Sequence, residues 1–371
     1  MKTRQLSDHF KAYFTVGDGY RGGSSGDPTQ HQTIHKLSSN ENPYGASPKV
    51  IEALSSAARD LHIYPDHTDT AVREQLTLVH EGVASDQFIV ANSGSEVLQM
   101  IIKGFVKVGD NVIVSSPYFV PYRSFSLWEG AEVVDVPLIQ PDYRLDVAGI
   151  LSAVDERTRI VFLTSPNNPT GSYISRKELD ELMHGLPSDV LVVYDEVYWH
   201  YIDQPDYPRA VDYLDRYDNI VGLNSFSKAY GLASMRIGYG YFSSSVAHYL
   251  RQICRPFLLP KFSIVAAIAA LSDQEWIQSC VKHNAIERDY LYSAIEDLDI
   301  PVWSSNANFL MIKPAGDHIA LVDYLADQGI YVRPLDNYMA PGAVRITVGT
   351  RANSEALLKA LRGYPGIRQV D

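Results

Sequence analysis

Only two cysteines, Cys254 and Cys280, occur in the 371 residues. Two cannot staple a chain of this length, so a disulfide-built extracellular scaffold is excluded. Long apolar runs are missing as well. The longest, near Phe262 to Leu271, falls short of the ~18–20 residues that a membrane span needs. There is no surplus of positive charge: 44 acids oppose 32 bases, a formal charge of −12. A body this acidic repels phosphate backbones, which argues against a general nucleic-acid binder. Met1 to Phe14 holds no uninterrupted apolar segment and no small-residue cleavage site. No signal peptide is read there, and the cytoplasm is the simplest address. No internal repeat recurs at periods of ~20–50 residues.

What is present is ordinary globular material, 46% hydrophobic and 20% charged. At roughly 150 residues per domain, the length allows two domains, or one large α/β body with a smaller lobe. The region Gly17 to Gly26 is rich in Gly and Ser, and Asp27-Pro28 breaks any helix, so the first residues read as an irregular arm. From Pro48 onward, apolar or β-branched runs of strand length alternate with helical patterns. Phe88 to Ala91, Asn111 to Ser115, Glu132 to Pro137, Arg159 to Thr164, Val190 to Asp195 and Ile220 to Asn224 are the strand candidates. Strands alternating with helices predict an α/β fold with a mostly parallel sheet. After Leu250 the pattern predicts a smaller α+β lobe. The expected organisation is an arm over 1–47, a large domain over 48–255 and a small domain over 256–371.

Two motifs carry little. Gly17 to Gly22 matches G-x-G-x-x-G, but the Gly, Ser, Asp and Pro that follow prevent a helix from starting there, so it reads as a loop rather than a dinucleotide site. His31 and His35 stand four apart without a carboxylate or thiol cluster, and read as scattered polar residues rather than metal ligands.

The informative residues gather at strand ends, where open α/β sheets place ligands. Ser225, Ser227, Lys228 and Arg236 follow the Ile220 strand. Ser and Arg suit a phosphate monoester, and a lysine that loses its proton can form a Schiff base with an aldehyde. Asp195 ends another strand, with Tyr198 three residues on. Asp195 and Glu196 are adjacent on a strand and point to opposite faces, so one faces a site and the other faces away. Ser165 to Gly171 brings Asn168 on a proline-fixed turn, and Ser93-Gly94-Ser95 opens a helix whose free N–H groups suit a phosphate. A phosphate cup, an acid for a ring nitrogen, a ring-hydroxyl partner and an amine are what pyridoxal 5′-phosphate requires.

The sequence resembles the aminotransferase class I/II family, pyridoxal-phosphate enzymes of fold type I, and within it the histidinol-phosphate aminotransferase-like branch. The marks are Ser39 to Gly45 (SNENPYG), Tyr64-Pro65-Asp66, Pro166 to Gly171 (PNNPTG), Tyr194 to Tyr198 (YDEVY), Ser227-Lys228 and Arg345 to Thr350 (RITVGT). The resemblance implies that Lys228 carries the cofactor and then shuttles a proton, that Asp195 pairs with the ring nitrogen, and that Asn168 and Tyr198 bind the ring oxygen. It implies that Ser225, Ser227, Arg236 and the amides of Gly94 and Ser95 hold the phosphate. Phe119 would stack on the ring, with Tyr118 or Tyr122 as the alternative. Arg345 would clamp a substrate carboxylate, with Tyr44 and Arg333 also at the substrate. Tyr64 would reach the phosphate of a neighbouring subunit, which implies a homodimer with shared sites.

The implied activity moves an amino group between an amino acid, or a histidinol phosphate-like amine, and a 2-oxo acid. Neither a nucleic acid nor a membrane is an expected partner. A decarboxylase or lyase of the same fold, like phosphothreonine decarboxylases, is the alternative; a non-catalytic cofactor sensor is a third reading. The sequence departs from the branch at Leu258 to Ile264, where amides give way to apolar groups and Lys261. It also departs in the arm, whose Tyr20, Arg21 and His31 could line or close the site. Arg333, Lys261 and Arg21 are the cations available to a phosphate ester, whereas Leu258 and Phe262 suit an apolar or aromatic amino acid.

Overall fold

The structure is a computed structural model, and it describes residues 22–367. The chain runs through β1 (His35–Lys36), α1 (Pro48–Ala57), α2 (Thr70–Leu76), β2 (Phe88–Ala91), α3 (Gly94–Phe105), β3 (Asn111–Val114), α4 (Pro121–Trp128) and β4 (Glu132–Asp135). It continues through α5 (Val147–Ala153), β5 (Thr158–Thr164), α6 (Arg176–Gly185), β6 (Leu191–Asp195), β7 (Ile220–Ser225), β8 (Gly238–Tyr241), α7 (Ser244–Leu250), α8 (Lys261–Leu271) and α9 (Gln274–Glu296). It ends with β9 (Val302–Trp303), β10 (Phe309–Ile312), α10 (His318–Ala326), β11 (Ile330–Tyr331), β12 (Arg333–Pro334), β13 (Val344–Thr347) and α11 (Arg351–Gly363).

Seven strands form the main sheet in the order β2-β8-β7-β6-β5-β3-β4. All pairs are parallel except the two made by β8. Because β8 alone is reversed, β2, β7, β6, β5 and β3 all end at the same edge. The six strands other than β4 are buried almost throughout, and most are apolar runs, because helices cover both faces. The edge strand β4 is only half covered and carries Glu132 and Asp135 on its exposed positions.

Local chemistry starts and stops the helices. Ser93 caps α3 by accepting the N–H of Glu96, and Ser175 with Glu178 closes a capping box on α6. Pro at the first position opens α1 and α4.

A second, antiparallel sheet, β12-β13-β10-β9, is packed by α9, α10 and α11 around its own apolar core. The short parallel pair β1–β11 stitches the incoming arm onto that lobe. Helix α8 is apolar on all sides, and it packs against α1 and joins the core of the large sheet, although it falls after residue 255. Among the described residues no helix is long and apolar enough to cross a membrane. Cys254 and Cys280 are free thiols.

Candidate functional site

The loops that leave β2, β5, β6 and β7 meet β12 and β13 of the smaller lobe around a cavity of about 890 Å³. Its walls come from both lobes and from Gly22, Gly23 and Ser38 to Glu41 of the arm.

Lys228 lies just after β7, and its Nζ donates to the carbonyl of Ser39 at 3.0 Å. Its loop is tied down by Asn42, whose Nδ2 donates to the Ala229 carbonyl at 2.9 Å. Burial lowers the ammonium pKa to about 7, helped by the Arg345 and Arg236 cations and opposed by Glu41 and Asp195. Its amine is therefore half unprotonated near neutral pH, as an amine nucleophile requires.

Asp195 ends β6 inside the cavity. Its Oδ2 accepts the Tyr122 hydroxyl at 2.6 Å, and its Oδ1 accepts the Val197 N–H at 3.2 Å. Burial raises its pKa to about 6, while those two hydrogen bonds pull it back. Thr164 meets the same Tyr122 hydroxyl at 2.8 Å, so the acid is held from behind.

Glu196, one residue on, is turned the other way. It is fully buried and paired bidentately with Arg209 at 2.9 Å on each arm. It also accepts from Asn224 at 3.0 Å and from the Tyr241 hydroxyl. Alternation along the chain separates the two carboxylates, so Asp195 alone faces the cavity.

Tyr198 lies under the cavity, with its ring edge-on to Phe309 and its hydroxyl accepting Asn40 Nδ2 at 2.9 Å. Burial raises the phenol pKa well above its ordinary value, so the phenol keeps its proton. Arg345 projects from β13, donating to Asn168 Oδ1 at 2.5 Å and to the Ser38 carbonyl at 3.1 Å. Its Nε is buried with no hydrogen-bond partner, so the guanidinium has donor capacity left for an anion.

The α3 N-terminus supplies Gly94 and Ser95, whose free N–H groups stand beside Ser225, Ser227 and Arg236 in the cavity wall. Arg236 has a left-handed φ of 50°, and its Nη1 is steadied by the Ala233 carbonyl at 2.9 Å. These donors suit a dianionic phosphate monoester, the acid and the amine suit a pyridine aldehyde, and the set fits pyridoxal phosphate.

The cavity thus gathers Lys228, Asp195, Tyr198, Asn168, Arg345, Arg333, Phe119, Ser225, Ser227, Arg236, Gly94 and Ser95. Tyr122, the alternative to Phe119, instead holds Asp195, and Tyr118 is buried in the core beside it. Tyr44 is displaced from the cavity: its ring packs at 5.3 Å on His283 of α9. Tyr64 does not line its own chain's cavity. It is 79% exposed and stacked on Phe257. Lys261 pairs with Asp60 at 2.9 Å, and it lies off the cavity together with Leu258 and Phe262. His31 packs edge-on to Tyr331. Tyr20 and Arg21 lie outside the described residues. Tyr122, Ser39 and Asn40 contact the site groups without having been assigned those roles from sequence; Ser39 and Asn40 lie in the SNENPYG motif, which was the available signal.

Residues 32–361 match the family model for aminotransferase class I and II. A histidinol-phosphate aminotransferase of Geobacillus sp. (strain WCH70) is 40% identical over 328 residues, 88% of this chain and 89% of the relative. One of Bacillus subtilis (strain 168) is 38% identical over 331 residues, 88% of this chain and 91% of the relative. Among solved structures, the histidinol-phosphate aminotransferase from Sinorhizobium meliloti in complex with pyridoxal-5′-phosphate has a TM-score of 0.85 at 26% identity, covering 96% of this chain and 97% of that one. With a match over this much of its length, and with the fold type I architecture of a mostly parallel sheet and a smaller lobe, the chain belongs to the aminotransferase class I and II family.

Proposed function

We propose that this pyridoxal-phosphate-dependent aminotransferase takes histidinol phosphate, or a closely related amine, as donor and a 2-oxo acid as acceptor. The observation that carries the reading is one cavity holding an amine near neutrality, a buried acid and a second-lobe arginine with an unused buried N–H. The relatives' names support the donor class. So does a second cavity-lining arginine, Arg333, which lies opposite Arg345 in the β12–β13 register.

When bound, pyridoxal phosphate supplies an aldehyde for the amine and a ring that accepts electrons from the breaking Cα–H bond. In this reading the protein's groups divide the remaining work. Lys228 would hold the aldehyde carbon through its Nζ, with loss of water, and as a free amine it would carry a proton between the substrate Cα and the cofactor. Asp195 keeps a proton on the ring nitrogen. Burial and the Tyr122 hydrogen bond prepare it for a cationic partner rather than for water. Tyr198 and Asn168 take the ring oxygen, and Phe119 covers a ring face. Ser225, Ser227, Arg236 and the N–H groups of Gly94 and Ser95 hold the phosphate. Arg345 takes an anionic group of the substrate in a fork that lysine cannot copy.

The homodimer belongs to the same proposal. Tyr64 and Phe257 present an exposed stacked pair, 79% and 45% exposed, suited to a second copy's cavity. A cytoplasmic address is the matching choice for two free thiols. The family match favours transamination over the decarboxylase alternative.

The test is a donor panel on the holoenzyme: histidinol phosphate, aromatic, branched and acidic amino acids, each with 2-oxoglutarate and pyruvate. Histidinol phosphate should convert the cofactor to its amine form with the highest kcat/KM. A higher value for an aromatic donor would move the assignment to aromatic amino acids. Release of CO₂ without an acceptor would restore the decarboxylase.

A further inference from the structure

Three consecutive arm residues each touch a different site group. The Ser38 carbonyl accepts from Arg345, the Ser39 carbonyl accepts from Lys228, and the Asn40 side chain donates to Tyr198. Only Asn40 uses its side chain, and it alone of the three donates to its site group, a hydroxyl that keeps a hydrogen of its own to aim. We infer that Asn40 is a positioning residue that aims the phenolic hydrogen of Tyr198 into the cavity, toward the cofactor's ring oxygen. The inference rests on the proposed pairing of Tyr198 with that oxygen.

The geometry leaves the phenol little choice. A tyrosine hydroxyl has one hydrogen to give and two lone pairs to accept with. Asn40 Nδ2 occupies a lone pair at 2.9 Å, so the hydrogen is directed elsewhere. The ring cannot swing to escape, since Tyr198 is 2% exposed and Phe309 stands edge-on at 5.2 Å.

The asparagine is itself held. Its N–H donates to Thr347 Oγ1 at 2.9 Å, that hydroxyl returns its hydrogen to Asn40 Oδ1 at 3.2 Å, and Asn308 Nδ2 donates to the Asn40 carbonyl at 3.0 Å. Thr347 thus holds the oxygen end of the amide, and the amino end is left for Tyr198. Asn40 has a φ of 55°, a left-handed conformation that asparagine tolerates better than most residues. Thr347 ends β13 in the smaller lobe, so the amide also ties that lobe to the phenol.

Charged and titratable neighbours face the phenol from each packed element: Tyr122 on α4, Asp195 at the end of β6, Tyr201 just after it, Lys228 after β7, Arg345 on β13, and Tyr338. None of them offers the phenol oxygen a neutral amide donor. Burial keeps the phenol protonated, so it has a hydrogen to aim.

A hydrogen bond donated to the ring oxygen drains negative charge from it. In the loaded protein that oxygen would then hold less tightly the proton on Lys228 Nζ. Weakening that donor raises the pH at which the holoenzyme's visible absorption band changes, a readout independent of turnover.

The experiment titrates that band in holoenzyme carrying Asn40→Gly, Asn40→Asp, Tyr198→Phe and the double variant Asn40→Gly/Tyr198→Phe. Glycine accepts the left-handed backbone without strain, and aspartate keeps the shape but accepts the phenol hydrogen instead of donating. Each single variant should move the midpoint upward, Asn40→Gly by about 0.5–1 pH unit, the size one hydrogen bond allows. The double variant should move it no further than Tyr198→Phe alone.

If Tyr198→Phe moves the midpoint while Asn40→Gly leaves it at the wild-type value, the inference about Asn40 is overturned and the Tyr198 assignment stands. The same holds if Tyr198→Phe moves it and, of the two Asn40 variants, only Asn40→Asp does, since added charge explains that alone. If Tyr198→Phe moves nothing, the underlying assignment of Tyr198 fails, and this inference with it.

Discussion

Arg345 and Asn168 are joined by a 2.5 Å hydrogen bond, Nη1 to Oδ1, across 177 positions of sequence. One residue comes from the smaller lobe and the other from the turn after β5. The planar guanidinium spans Asn168 and the Ser38 carbonyl together and still keeps a buried Nε–H in reserve. A lysine would keep the charge but not the span. Arg345→Lys is therefore expected to lower kcat/KM by roughly 10–100-fold, the loss of one or two charged hydrogen bonds, chiefly through KM. Steady-state kinetics of the two proteins on the best donor checks this.

The Lys228 amine, lowered to about 7 mainly by burial, sets the pH dependence of cofactor uptake. Only the neutral amine attacks an aldehyde. The rate at which added pyridoxal phosphate shifts its absorbance in the cofactor-free protein should climb about tenfold per pH unit below 7 and flatten above it. An ordinary lysine would go on climbing to roughly pH 10. Stopped-flow mixing from pH 5.5 to 9.5 separates the two curves.

Much of the architecture was readable because it follows from patterns that neighbours in sequence enforce. The buried strand Phe88–Ala91 is β-branched or apolar throughout and Leu191–Asp195 is so, its one tyrosine aside, up to its last residue, and the polar residues at their ends mark the functional edge of the sheet. Opposite facing of Asp195 and Glu196 follows from strand alternation alone. Long-range pairings carry no such signature. Tyr122 is 73 residues from Asp195, and an aromatic in a helix reads as core or as stacking surface until its hydroxyl is placed. Tyr44 sits in a motif whose first members, Ser39, Asn40 and Glu41, reach the cavity, yet the turn at Asn42 carries its ring to α9. Helix α8 is apolar on every face, so no stripe in its sequence reveals which of two cores receives it.

Asp195 makes a prediction with an unexpected sign. Its pKa is raised from 3.8 to about 6 in the folded protein, chiefly by burial. Between those values the folded state binds more protons than the unfolded one, so its contribution to stability falls as pH rises through that window. Above pH 6 the whole cost is present, at most about 3 kcal/mol for roughly two pKa units. Asp195→Asn removes the charge and can still accept from Tyr122. In cofactor-free protein the variant should therefore be the more stable one at pH 8, with the difference gone near pH 4. Its holoenzyme should lose about 10³-fold in kcat, as expected when a preorganised charge is removed. Urea unfolding at both pH values, with kinetics alongside, tests the two halves separately.

Glu196 and Arg209 form a buried pair whose partners also include Asn224 and Ala210. Arg209 further stacks over Trp199 at 3.6 Å. Removing one charge leaves the other stranded without water, so Arg209→Met should cost about 3–5 kcal/mol. Arg209→Met/Glu196→Gln should recover part of that loss, because no uncompensated charge remains. Chemical denaturation of the two variants decides it; equal losses would mean that packing rather than charge dominates.

Gly238 opens β8 directly against the start of α3. A Cβ there would lie 2.7 Å from Gly94 Cα and 2.6 Å from the Ser93 carbonyl carbon, both backbone atoms that cannot rotate aside. Ser93 already holds a φ of 115° to turn the chain into the helix, so the turn has little freedom left to absorb a shift. The helix end that must move carries the N–H groups of Gly94 and Ser95, the proposed phosphate donors. Gly238→Ala should therefore weaken pyridoxal phosphate binding by at least about tenfold, the value of one displaced charge-assisted hydrogen bond. Pyridoxal lacks the phosphate, so its weaker binding should change little. Equilibrium titration of cofactor-free protein with both compounds gives the answer. An equal loss for the two would place the damage at Lys228 rather than at the helix.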